Sequence, residues 1–168
     1  MAVGTSASEK RGIALKVPKV DMDKCTQCNY CSMICPHAAV RPFLFTHDDI
    51  DNAPASLKGE TRKAQGGGAL DNYDFRVQVS PLDCTGCELC VRICPADALS
   101  FVSVDEAIET QSENWEYCSS LPNHGAEMDK TTVKGSQFQQ PLLEFSGACE
   151  GCGETPYVKM LTQLFGER

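Results

Sequence analysis

The sequence predicts an α+β domain made of two strand–helix units related by a pseudo-twofold axis. A long insertion separates the units, and a C-terminal extension follows them. Three observations predict this. Most of the eleven cysteines fall into two runs of one pattern, C-x2-C-x2-C-x3-C-P. The first run is Cys25, Cys28, Cys31, Cys35 and Pro36; the second is Cys84, Cys87, Cys90, Cys94 and Pro95. The runs repeat at an offset of 59 residues (Cys25 to Cys84), and the repeat extends past the cysteines: Thr26 matches Thr85, Ile34 matches Ile93, and Ala39 matches Ala98. Apolar residues alternating with period two flank the runs, as short strands would.

Taken in order, residues 1–19 read as an interdomain lead-in, interrupted by Gly4, Gly12 and Pro18. Ile13, Leu15 and Val17 alternate there as in a short strand. Residues 20–104 form the repeated domain. Its insertion, 44–74, holds Pro54, Gly59 and Gly66-Gly67-Gly68, a flexible loop with no phosphate-binding pattern around it. Phe75, Val77 and Val79 form a strand entering the second run, and Leu99 and Phe101 form one leaving it. Residues 105–141 are a polar connector. Ala107, Ile108 and Trp115 are spaced to share a helix face there, which Pro122 and Gly125 soon end. Residues 142–168 change character. Leu142, Leu143 and Phe145 lead into a Gly-rich loop with Cys149 and Cys152. Thr155-Pro156 then opens a helix carrying Tyr157, Met160, Leu161, Leu164 and Phe165 at helical spacing. At about three turns, that helix needs a partner surface.

Composition narrows the function. A chain of 168 residues, 42% hydrophobic and 23% charged, fits one small domain with extensions. No segment reaches membrane-spanning length, and the N-terminal stretch lacks the apolar core of a secretory signal. So many cysteines without such a signal point to metal-bound thiolates in a reducing compartment. The cytoplasm is the default, an anaerobic organelle the alternative. A formal net charge of −8 argues against nucleic acid and suits docking with basic patches.

The spacing of the runs is that of bacterial two-cluster ferredoxins, which bind two [4Fe-4S] clusters. Three cysteines two residues apart wrap one side of a four-iron cube, and the fourth is carried off by the helix that follows, so it reaches the other cube. That assigns Cys25, Cys28, Cys31 and Cys94 to one cluster, and Cys84, Cys87, Cys90 and Cys35 to the other. With oxidised cores of +2 and four thiolates each, the pair adds about −4 to the charge. Pro36 and Pro95 fix the turn after the fourth ligand. Zinc knuckles are the alternative, although zinc has no use for crossed third and fourth cysteines.

Cys149 and Cys152 supply two ligands and cannot close a site alone. They read as half of a third cluster, with free cysteines or half a zinc site as the alternative. Cys118 stands alone and reads as a non-ligand. His37, His47 and His124 share no ligand spacing, and His37 reads as a surface histidine, with a place near a cluster after Cys35-Pro36 as the alternative. Tyr30 reads as packing over the cluster. Asp48, Asp49 and Asp51 read as a solvated helix face, with acceptor docking as the alternative.

The stretch from Gly147-Ala148-Cys149-Glu150-Gly151-Cys152-Gly153-Glu154 through Thr155-Pro156-Tyr157 to Leu164-Phe165-Gly166-Glu167-Arg168 resembles pyruvate:ferredoxin (flavodoxin) oxidoreductase. So do Glu9-Lys10-Arg11-Gly12 and Lys134-Gly135-Ser136-Gln137-Phe138. The resemblance implies an enzyme that converts pyruvate and coenzyme A to acetyl-CoA and carbon dioxide. It implies thiamine diphosphate with magnesium and three [4Fe-4S] clusters in the full-length protein, ferredoxin or flavodoxin as acceptor, and a homodimer. Cys149 and Cys152 would be two ligands of the cluster nearest the thiamine. This chain would be a fragment: a two-cluster wire, then the truncated start of the thiamine-binding domain at 142–168, with no catalytic residue for pyruvate. A stand-alone ferredoxin, or the redox domain of another 2-oxoacid oxidoreductase or of a pyruvate enzyme with a nicotinamide acceptor, are the alternatives.

Overall fold

The computed structural model describes residues 4–166. Met1, Glu167 and Arg168 lie outside the described residues. Strand β1 (Lys16–Val20) runs antiparallel to β5 (Leu99–Ser103), with Val17 opposite Val102 and Val20 opposite Leu99. Strand β2 (Val40–Phe45) runs antiparallel to β4 (Asp74–Val79), with Val40 opposite Val79. The two-residue β3 (Arg62–Lys63) joins the other edge of β4. Helix α1 (Tyr30–Ile34) follows the first three cysteines, and α3 (Leu89–Arg92) follows their counterparts.

The 59-residue offset carries α1 onto α3 and β2 onto β5, so the β4–β2 pair is the image of β1–β5. This is the two-cluster ferredoxin-like α+β fold expected from the repeat. The strand ahead of the first run begins later than the alternation suggests. Ile13 and Leu15 are exposed, whereas Val17 and Val20 are buried. Residues 16–19 therefore act in the sheet, although they fall within the expected lead-in.

The connector is more structured than its polarity suggests. Most of its first half is helix α4 (Val104–Ser120), which buries Ala107, Asn114, Trp115 and Cys118 on one stripe. Ile108, by contrast, is exposed and leaves that face. Helix α4 packs on β4, so β4 is buried on both sides. Its polar residues pair inside: Arg76 Nε donates to Gln78 Oε1 at 2.8 Å, and Gln78 Nε2 donates to Gln111 Oε1 at 2.7 Å. Arg76 Nη1 also donates to the Glu60 carbonyl at 2.7 Å. Burying these groups is tolerable because they are hydrogen-bonded.

Within the insertion, α2 (His47–Asp51) starts at a complete capping box built from Thr46 and Asp49. Asp49 is therefore turned inward, contrary to the solvated face expected for the acidic run. A small second core joins Phe45, Ala53 and Leu57 to Cys118. The triglycine takes positive φ at all three positions, as its loop reading requires. Short α5 (Val133–Ser136) precedes the extended stretch that leads to α6 (Thr155–Phe165).

Candidate metal centre

The two cysteine loops share a backbone conformation, not just a spacing. Gln27 and Gly86 have positive φ, as do Asn29 and Glu88, and Ala38 and Asp97. Each pair is 59 residues apart. Left-handed backbone is unfavourable for residues other than glycine, by about 1–2 kcal/mol each. Its recurrence here marks loops wound around something. The winding turns main-chain amides toward sulfur. Gln27 N donates to Cys25 Sγ at 3.4 Å, and Gly86 N donates to Cys84 Sγ at 3.4 Å. Ala98 N donates to Cys94 Sγ at 3.3 Å.

The thiols gather crosswise. Cys94 acts electrostatically on Cys25 and Cys31, together with Cys28. Cys35 acts on Cys84 and Cys90, together with Cys87. Helices α1 and α3, after which Cys35 and Cys94 follow, are in contact. Cys31 also acts on Cys90, so the two groups are neighbours. Burial, reinforced by the surrounding sulfurs, pushes Cys31 and Cys84 up to about 12 and raises Cys25 and Cys90 as well.

This donor set fits sulfide-bridged iron. The sulfurs are soft, largely withdrawn from water, and met by amide donors. Buried thiols with raised pKa values lose their protons only when positive metal replaces them. Among the described residues, no three His, Cys, Asp or Glu side chains converge tightly enough for a single ion. A four-iron cube asks for less convergence, because each thiolate meets its own iron.

Three further residues serve the first loop and carry no sequence signature of a ligand. Buried Gln27 donates from Nε2 to the Lys63 carbonyl at 2.8 Å and accepts from Gln65 N at 2.8 Å. Asn29 Nδ2 donates to the Lys134 carbonyl at 3.0 Å, and Ser32 Oγ donates to Gln137 Oε1 at 3.2 Å. The insertion and the connector thus clasp the first loop. Their counterparts in the second loop are Gly86, Glu88 and Val91, which make no such clasp among the described residues. That break in the repeat was the available signal.

The third cysteine pair lies beside the second loop. Cys149 is exposed and Cys152 is half-buried. A Cβ placed on Gly151 would stand 3.6 Å from the Cβ of Cys87, and Glu150 acts on Cys84. The main-chain and side-chain donors of Thr155, with the Glu154 amide, lower the Cys152 pKa. His37 holds the approach to this loop. Its Nδ1 lies 3.2 Å from the Ser146 carbonyl, and its own carbonyl accepts from Phe145 N at 2.9 Å. At 2% exposed it is not the surface histidine expected; the strap at 145–149 covers it. Tyr30, expected to cover the centre, is 40% exposed at the start of α1. Cys118 belongs to neither group of thiols and packs in the second core.

Helix α6 is turned opposite to its apolar pattern. Pro156, Lys159 and Gln163 face inward, whereas Tyr157, Leu161 and Phe165 are exposed. Lys159 Nζ donates to the carbonyls of Ser32 at 2.5 Å, Cys35 at 3.1 Å and Met33 at 3.2 Å. Burial pushes its pKa down to about 8, against the pull of Cys35 and Cys31.

A family model described as "4Fe-4S dicluster domain" matches residues 21–98, the span of both loops and their helices. Residues 21–98 are similar to 4Fe-4S dicluster domains. Over 99% of its length the chain also resembles one segment of much longer pyruvate oxidoreductases. It is 60% identical to pyruvate dehydrogenase [NADP(+)] of Cryptosporidium parvum, 55% to the mitochondrial counterpart of Euglena gracilis, and 51% to pyruvate:ferredoxin oxidoreductase of Moorella thermoacetica. It spans 8%, 9% and 14% of those proteins. The dicluster domain is thus followed here by a segment these pyruvate oxidoreductases share. No described helix is long and apolar enough to cross a membrane.

Proposed function

We propose that the chain is the two-cluster relay of a pyruvate:ferredoxin or pyruvate:flavodoxin oxidoreductase. In this reading Cys25, Cys28, Cys31 and Cys94 hold one [4Fe-4S] cluster, and Cys84, Cys87, Cys90 and Cys35 hold the other. The observation that carries it is the crosswise gathering of thiols, Cys94 with the first run and Cys35 with the second. Each cluster, when bound, takes up and gives up one electron. The chain's own residues exclude water from the inner cysteines, aim amides at sulfur, and hold the two groups side by side.

Cys149 and Cys152 are two ligands of a third cluster, completed by residues of the longer protein. Their loop lies against Cys87, which supports the Cys84 group as the relay station next to it. Thiamine diphosphate with magnesium, the pyruvate chemistry and a homodimeric assembly belong to the rest of that protein, in the cytoplasm. The segments at 1–19, 20–104, 105–141 and 142–168 serve as lead-in, relay domain, connector and first part of the thiamine-binding domain. The outward apolar face of α6 suits a neighbour in that larger body.

A second reading keeps the relay and changes the terminus. Relatives at 60% and 55% identity are named for NADP(+), against 51% for the ferredoxin enzyme above. The electrons would then end on a nicotinamide.

Anaerobic reconstitution of the chain tests the cluster reading. The expected result is about eight irons per chain in two four-iron signals. Cys94→Ala should abolish the same electron paramagnetic resonance signal as Cys25→Ala, and Cys35→Ala the same signal as Cys84→Ala. Loss of one signal by all the changes in one run would refute crossed ligation. Parent enzyme assayed with ferredoxin, flavodoxin and NADP(+) decides the acceptor.

A further inference from the structure

Lys159 is a buried cation. It is 1% exposed, and among the described residues no carboxylate pairs with it. Its ammonium donates to the main-chain carbonyls of Ser32, Met33 and Cys35. An isolated ammonium so deeply buried is costly unless opposite charge lies near. The neighbouring charged groups narrow the choice. Arg41 has the same sign and is itself paired with Glu144. The remaining electrostatic partners are Cys35 and Cys31. Those two cysteines come from different thiol groups, and the ammonium sits under the backbone that joins them.

We infer that Lys159 is a positioning and tuning residue: its positive charge offsets the negative charge of both cysteine-ligated clusters and raises their reduction potentials. The inference rests on the two-cluster reading proposed above. A four-iron cube with four thiolates carries about −2 when oxidised and gains one more negative charge on reduction. A nearby cation favours the more negative form, so each one-electron uptake becomes easier. No proton or bond change is involved. The effect should be larger at the cluster holding Cys35, whose carbonyl the ammonium touches. Since α6 lies beyond the dicluster domain, the residue that sets the potentials comes from a separate segment of the chain.

The test uses the full reconstituted chain and compares wild type, Lys159→Gln and Lys159→Arg. Iron content and resonance signals of the wild type decide whether the clusters exist at all, so failure of that reading shows separately. Potentiometric titration followed by electron paramagnetic resonance then reads Lys159. Gln keeps a donor and loses the charge, and should lower the potential of the Cys35 cluster by about 59 mV or more, a tenfold change in the one-electron equilibrium. The other cluster should shift the same way by less, and Arg should stay near wild type. Iron loss in the Gln variant but not the Arg variant would also support a requirement for charge. Potentials shifted by less than about threefold in equilibrium in the Gln variant, or iron loss in both variants, would overturn the inference, since packing alone would then explain the site.

Discussion

His124 Nε2 lies 2.9 Å from Asp49 Oδ2, joining the loop after α4 to the capping box of α2. The same carboxylate oxygen accepts from Thr46 N at 2.7 Å and from Thr46 Oγ1 at 2.7 Å. One acidic side chain thus closes a helix start and fastens a distant loop to it.

Asp49→Ala should therefore destabilise the chain by about 1–2 kcal/mol, the range for a lost helix cap. Denaturant titration reads this directly. A change within a few tenths of a kcal/mol would show that the cap and the His124 contact are dispensable.

The pH dependence follows from the same group. Burial raises the Asp49 pKa, but the Thr46 hydrogen bonds and the His124 contact outweigh it, and the net shift is downward. A carboxyl lowered on folding stabilises fully above its unfolded pKa, and that stability is lost as pH falls through the folded value. Acid unfolding curves of wild type and Asp49→Asn should converge as pH drops through that range and separate above it.

Cys118→Ala should leave about eight irons per chain, because Cys118 packs with Phe45, Ala53 and Leu57 rather than with either thiol group. Its cost should be confined to stability, roughly 1 kcal/mol for a small buried truncation. Iron analysis beside thermal unfolding separates the two, and loss of four irons would make Cys118 a ligand.

Gly135→Ala should disrupt the junction between α5 and the first loop. A Cβ there would come 2.0 Å from the Asp129 carbonyl oxygen, which is main chain and cannot step aside. Lys134, whose carbonyl receives Asn29, would move with it. A loss of about 2 kcal/mol or more is expected, together with faster iron release to a chelator. Release at the wild-type rate would show that the clasp on the first loop is not needed to retain metal.

Much of the centre was legible because a cysteine repeat encodes ligands, spacing and symmetry at once. The matching left-handed residues at Gln27 and Gly86, or at Asn29 and Glu88, follow from the same constraint. Residues that act through other segments were not legible. Arg76 and Gln78 alternate as outward-facing strand residues do, and only the packing of α4 onto β4 turns them inward. His37 gives no hint that a strap more than a hundred residues later covers it. The helical spacing of Leu161 and Phe165 named the helix but not the face that packs on this chain, which is the one carrying Lys159 and its three carbonyl partners. Polarity predicts exposure only until a folded neighbour offers hydrogen bonds.

The pairing of β1 with β5 sets the order in which this chain can mature. β1 is synthesised first and hydrogen-bonds the strand made last in the repeat, so it waits on the ribosome until Ser103 has emerged. Contacts this distant in sequence form late in folding. The first cysteine loop then has the neighbouring helix α3 but still lacks its clasp from Lys134, which is made later. The first loop is therefore complete only once the connector has followed the repeat.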